Sequence, residues 1–114
     1  MTPTMKTVIY PVKDLAKAKS LFSALLGAGP YADAPYYVGF RAGGQEIGLD
    51  PNGHSQGMTG PVVYFRVDDI EASLRSLLDA GAQTQQGVRD VGGGKLIASV
   101  RDADGNPIGL IQEP

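Results

Sequence analysis

The sequence predicts an α+β fold built from two βαβββ modules in tandem, whose curved mixed sheets form a cleft. Two observations carry this expectation. The segments V-K-D-L (12–15) and V-D-D-I (67–70) recur at a shift of 55 residues, and each stands between a strand-like stretch and a helix-like stretch. The endings I-G-L (47–49) and I-G-L (108–110) recur at a shift of 61, each after a glycine-containing turn. With 114 residues the chain is one domain long. Neither half, about 50 residues, buries enough surface to stand alone, so the modules must pack as a pair, within one chain or by exchange with a second. The expected boundaries are 5–50 for the first module, 51–60 for a linker and 61–113 for the second module.

The elements follow in order. In KTVIYPV (6–12), Val8, Tyr10 and Val12 alternate with Thr7, Ile9 and Pro11, which is the strand period. Pro11 has no amide hydrogen and belongs at an edge or bulge. Asp14 precedes LAKAKSLFSALL as a helix N-cap. Leu15, Ala18, Phe22, Leu25 and Leu26 form the expected apolar face, and Gly27 forms the stop. PYYVGFRA (35–42) and QEIGLD (45–50) read as strands joined at Gly43-Gly44. PNGHSQGMTG (51–60) reads as a loop.

The order then restarts. PVVYFRV (61–67) is a strand, with Val63, Phe65 and Val67 in one phase. DDIEASLRSLLDAGA is a helix whose expected N-cap is Asp68, forming a capping box with Glu71, and Asp69 is the competing cap. Ile70, Leu74, Leu77 and Leu78 form its expected apolar face. QTQQGVRD reads as a strand or loop, and KLIASVRD and IGLIQ read as strands. The second strand of each module is poorly marked.

Composition excludes several functions. There is no cysteine, hence no disulfide, thiolate nucleophile or cysteine metal site. A net charge of −2 without a basic cluster disfavours nucleic acid and anionic membranes as partners. The amino terminus lacks the apolar run of a signal peptide, and the longest apolar stretch is too short to span a bilayer. A cytoplasmic protein is expected.

Strand phase then separates two faces. Val8, Tyr10 and Val12 match Val63, Phe65 and Val67, a uniformly apolar face for the helices. The opposite face pairs Thr7 with Val62, Ile9 with Tyr64, and Pro11 with Arg66, a mixture suited to lining a cleft. Arg66 is a candidate for holding a carboxylate or phosphate, and Tyr64 for stacking on a ligand. Thr7 and Ile9 share that face. Tyr36 and Tyr37 must face opposite sides; Tyr37 shares a phase with Gly39, and Tyr36, Val38 and Phe40 share the other. Tyr37 and Phe40 are carried as candidates for an aromatic wall, with core packing as the alternative. Glu46 and Asp50 share the phase of Gly48 and are candidate bases or exposed strand-end acids. Asp50 and the single histidine, His54, are ligand-binding candidates; His54 would gate a ligand or act as a base brought over the cleft, with a solvated loop histidine as the alternative. The GGGK stretch (92–95) lacks phosphate-loop spacing and is read as a turn. No catalytic set is identified.

Strand–V-x-D-L–helix, G-G…I-G-L, V-D-D-I–helix and V-x-D-A-D-G-N-P-I-G-L together resemble the vicinal oxygen chelate superfamily. This is the glyoxalase, bleomycin-resistance and extradiol dioxygenase group. In its metalloenzymes the resemblance implies one ligand from each of four strands, and the matching positions here are Thr7, Gly48, Val62 and Gly109. Glycine and valine supply no donor, and a divalent ion needs several converging at about 2.0–2.2 Å. The expectation is therefore no metal and no cofactor, with the glycines leaving space where acids would stand. The expected function is metal-independent binding of a small, partly aromatic organic molecule by a homodimer, with antibiotic sequestration as one form. The alternative is a glyoxalase-like lyase or isomerase, or a dioxygenase-type enzyme.

Overall fold

The computed structural model describes residues 2–114. It divides into two compact units: Thr7–Pro61, and Val62–Pro114 joined by residues 2–6.

In the first unit, which takes β1 (Thr4–Pro11) from Thr7 onward, that strand leads into α1 (Leu15–Leu26), then β2 (Ala32–Ala34), β3 (Tyr37–Ala42) and β4 (Gln45–Asp50). Asp14 caps α1 by accepting from the Lys17 amide, and Gly27 ends the helix in the left-handed region at φ +68°. The turn at Gly43-Gly44 has φ of +56° and +82°, and Ala42 pairs with Gln45 across it. Two consecutive positive φ values define the tight hairpin turn whose twist suits flanking strands, and only glycine adopts both without strain. The strands lie in the order β2-β3-β4-β1. β1 runs parallel to β4, and the other pairs are antiparallel.

The second unit repeats the plan. β5 (Val62–Arg66) and α2 (Ile70–Asp79) precede β6 (Gln83–Asp90), β7 (Leu96–Arg101) and β8 (Pro107–Gln112). The order is β5-β8-β7-β6, with β5 parallel to β8 and the rest antiparallel. The weakly marked second strands differ. β2 is three residues long, whereas β6 is eight residues long with two register shifts against β7. Those shifts explain why β6 lacks a clean alternation in sequence.

The helix-facing phase packs as expected. Val38, Phe40 and Leu49 are buried beneath Leu15, Ala18, Phe22 and Leu26, together with Tyr10 and Val12. The Phe22 ring lies 5.0 Å from Tyr10 and 6.3 Å from Phe40, centroid to centroid. In the second unit, Val67, Ile70, Ala98 and Leu110 form the core with Leu74 and Leu77.

Three expectations are corrected. Leu25 is 72% exposed; with Leu21 it forms an i, i+4 pair on the outer side of α1, away from the Leu15–Ala18–Phe22–Leu26 stripe. Leu78 likewise lies at the exposed margin of α2. The α2 cap is Asp69, not Asp68: its Oδ1 accepts from the Ala72 amide, and Gln112 Oε1 accepts from the Ile70 amide. Two of the helix's orphan N–H groups are thereby satisfied, one of them by a side chain 42 residues away.

Candidate functional site

Each unit has one sheet face turned away from its helix. In the first unit, strand register places Thr7 beside Glu46 and Ile9 beside Gly48, while Gly39 lies opposite Gly48 and Arg41 opposite Glu46. This face therefore carries Thr7 and Ile9 from β1, Tyr37, Gly39 and Arg41 from β3, and Glu46, Gly48 and Asp50 from β4. In the second unit, Tyr64 lies opposite Gly109, and Ser99 lies opposite Gly109 on its other side.

The glycines do not leave open space. A β-carbon built onto Gly109 would stand 2.7 Å from Tyr64 Cγ and 2.8 Å from Cε1. One on Gly48 would stand 2.6 Å from Ile9 Cδ1 and 2.8 Å from Tyr37 Cε1, closer still to the Tyr37 hydroxyl. One on Gly39 would meet the Tyr31 ring at 3.0 Å. Real β-carbons essentially never approach within 3.0 Å, and 3.0 Å itself is tighter than most such contacts, so glycine is what lets these side chains come so close to the sheet. The expected vacancies are filled by tyrosine, and this corrects the sequence-based reading of them as space.

This arrangement answers whether the family's metal would fit. At the four matching positions, Thr7 offers one neutral hydroxyl and is 7% exposed, Val62 offers carbon, and the volumes beside Gly48 and Gly109 hold aromatic rings. Among the described residues no three His, Asp or Glu side chains are grouped as a metal would require. The donor set does not fit a divalent cation.

Around the first pair of glycines a polar cluster forms. The Tyr31 hydroxyl donates to Glu46 Oε1 at 2.8 Å, and Arg41 Cζ lies 4.1 Å from the Tyr31 ring centroid. Burial, then the Glu46 hydrogen bond, then the charges of Tyr37 and Glu46 push the Tyr31 hydroxyl well above the ordinary tyrosine value, with Arg41 opposing. Tyr31 stays a neutral donor and holds the half-buried Glu46 carboxylate in place.

The expected site residues are distributed unevenly. Tyr64, Thr7, Ile9 and Tyr37 stand on the faces just described. Arg66 is on the face of the second unit at an exposed strand end, 3.9 Å from Glu113 Oε1. Phe40 is not on the face: it points to the helix side and is 1% exposed in the core. Asp50 is on the face, but its Oδ1 accepts from the Asn52 amide and closes the following turn. His54 is exposed in the 3₁₀ turn His54–Gln56. Sequence reasoning missed Tyr31 and Arg41. Tyr31 lies in a glycine- and proline-rich loop without strand period; the Arg41 signal was its phase with Tyr37 and Gly39. A separate cavity of about 190 Å³ lies beside Thr2, Thr4, Arg66 and the start of α2. Asp68 and Asp69 line it, and Asp69 is the helix cap.

Residues 4–110 match the Glyoxalase/Bleomycin resistance protein/Dioxygenase superfamily, and the chain belongs to that family. No curated protein matches it. Solved structures share the fold at low identity. A superfamily member from Vibrio splendidus 12B01 aligns with TM-score 0.77 and 17% identity, over 99% of this chain and 100% of that one. Methylmalonyl-CoA epimerase from Mycobacterium tuberculosis aligns at 0.67 and 18%, over 96% and 87%. The Mn(II)-bound glyoxalase from Novosphingobium aromaticivorans aligns at 0.71 and 19%, over 95% of this chain and 38% of that one. Among the described residues no helix is long and apolar enough to cross a membrane.

Proposed function

We propose that this protein binds a small, partly aromatic organic molecule without a metal ion, on the sheet faces that carry Tyr37 and Tyr64. The supporting observation is that both positions where the family's metalloenzymes place an acid are glycines roofed by tyrosine. In each unit a ring stands beside the glycine at the position where the family's metalloenzymes place an acid, and a ring with polar neighbours suits stacking and directed hydrogen bonds. Sequestration of an antibiotic is one form this activity takes. In this reading the protein works as a cytoplasmic homodimer, a state checked by light scattering.

The test is a ligand-detected NMR screen with planar compounds, repeated on Tyr64→Leu and Tyr37→Leu. Binding that weakens at least fivefold in either variant supports the proposal; a family of hits unaffected by both overturns it. A second reading, a metal-free lyase or isomerase, draws on Glu46. Its carboxylate is half-buried on the face and oriented by Tyr31, as a proton-abstracting base needs. Turnover of a hit that Glu46→Gln abolishes while binding persists selects that reading.

A further inference from the structure

The face of the second unit carries three arginines, and two of them take no part in the ion pairs of the described residues. Arg101 pairs in register with Gln83 and Pro107, Arg89 with Ile97, and Arg66 with Ile111. All three are therefore on the side of Gly109, opposite α2. Arg66 has a long contact to Glu113, but neither Arg89 nor Arg101 makes an ion pair or side-chain hydrogen bond among the described residues. Of the acids of this unit, Glu113 stands at the Arg66 end of the face, Asp90 accepts from the Gly92 amide at the end of β6, Asp104 lies in the β7–β8 turn, and the rest are elsewhere. Asp68, Asp69, Glu71 and Asp79 lie on or beside α2, and Asp102 is consumed by its own turn, accepting from Asn106 and Asp104. In a chain of net charge −2, one sheet face has been kept cationic.

The two uncommitted arginines flank Ser99. Arg101 is two residues along β7, about 7 Å by strand rise. Arg89 is one strand across and two positions the other way, about 8 Å by the same spacings. Ser99 is 6% exposed, and Tyr64 and Ile97 lie on the same face beside it. A planar body against Tyr64 and Ile97 would carry its charged end toward two flexible guanidinium forks, which match the paired oxygens of a carboxylate or phosphate.

We propose that this face binds an oxyanion-bearing ligand, with Arg89 and Arg101 gripping the carboxylate or phosphate on either side of Ser99. This deepens the ligand-binding proposal and rests on it. The experiment uses matched pairs, benzoate with benzamide and phenyl phosphate with phenol, followed by two-dimensional NMR of the labelled full chain, including the arginine Nε–Hε signals. The expected result is that an acid binds at least fivefold more tightly than its neutral partner and shifts the Arg89 and Arg101 signals. Arg89→Gln and Arg101→Gln each reduce acid binding about fivefold, leave the neutral partner unchanged and leave the melting temperature unchanged, because both side chains are exposed. Raising salt weakens only the acids. The benzoate and phenyl phosphate arms tell which oxyanion is preferred. Equal binding of acids and neutral partners, or acid binding indifferent to both variants, overturns the anion assignment alone. No binding by any of the four compounds overturns this proposal, while the planar-compound screen decides the broader one separately.

Discussion

The packing of Tyr64 on Gly109 yields a sharp prediction, because alanine at that position should test two opposing effects. Replacing a mid-strand glycine by alanine normally stabilises by about 0.5–1 kcal/mol through reduced unfolded-state freedom. Here the new methyl group would stand 2.7 Å from Tyr64 Cγ, the root of the ring. The ring cannot yield there by swinging its tip, so β5 or β8 must move. Overpacking of this kind costs about 1–3 kcal/mol. The net for Gly109→Ala is a loss of about 1–2 kcal/mol, which for a chain this long lowers the melting temperature by about 4–8 °C. Gly48→Ala should cost less. The atoms it meets are Ile9 Cδ1 and the outer edge of Tyr37, which are ends of side chains that can turn.

Urea unfolding of four proteins checks the cause: the parent, Gly109→Ala, Tyr64→Ala and the double variant. With the ring removed, the alanine methyl has room, so Gly109→Ala should become neutral or slightly stabilising in the Tyr64→Ala background. The coupling between the sites is then about 1–3 kcal/mol. If Gly109→Ala leaves the parent as stable as before, or harms both backgrounds equally, the tyrosine does not occupy that volume and the argument against a metal at Gly109 weakens with it.

Four further outcomes are expected. Asp69→Ala should destabilise by about 1 kcal/mol through loss of the α2 cap while Asp68→Ala stays near zero, read from thermal melts of both. In an absorbance titration of the tyrosines at alkaline pH, a step above the ordinary tyrosine value should vanish in Tyr31→Phe. Its raised value means that the stability it contributes is intact below the ordinary value of 10.0 and is lost as pH climbs beyond it. Asp102 is shifted the other way, downward, by hydrogen bonds from the Asn106 side chain and then its backbone. The β7–β8 turn should therefore stay protected from amide exchange above the usual 3.8 and loosen as pH falls below it, and Asp102→Asn should abolish that dependence. Finally, glutamate placed at both Gly48 and Gly109 should lower stability without conferring stoichiometric zinc, nickel or manganese by elemental analysis, since Tyr37 and Tyr64 hold the space.

The duplication was legible because it rests on local chemistry repeated twice. V-x-D at the strand-to-helix junction recurs at each helix, and I-G-L is the end strand in each unit. The helix-facing phase was legible for the same reason, through Val8–Tyr10–Val12 and Val63–Phe65–Val67. What failed were choices between adjacent positions of equal local merit. Asp68 and Asp69 both cap on paper; the selection came from where α2 begins against β8, where Gln112 meets the Ile70 amide. Leu25 and Leu26 both look apolar, but only Leu26 lies in line with Phe22 over β3. Arg89 was obscured by the register shifts of β6, which break the period that would have assigned it a face.

The glycines show the same limit more deeply. A sequence reveals that a donor is missing, since glycine and valine have none to give, and that inference needs no coordinates. It does not reveal what stands in the donor's place, because the occupant comes from another strand. At Gly109 the occupant is Tyr64, directly across the β5–β8 ladder. At Gly48 it is Ile9 from across β1 and Tyr37 from β3. The repeat preserved the glycine in both units and recruited a ring to it from a different direction in each. Two unlike solutions to one packing demand mean that it is the filling of the volume beside the glycine, rather than any single contact, that both units have in common.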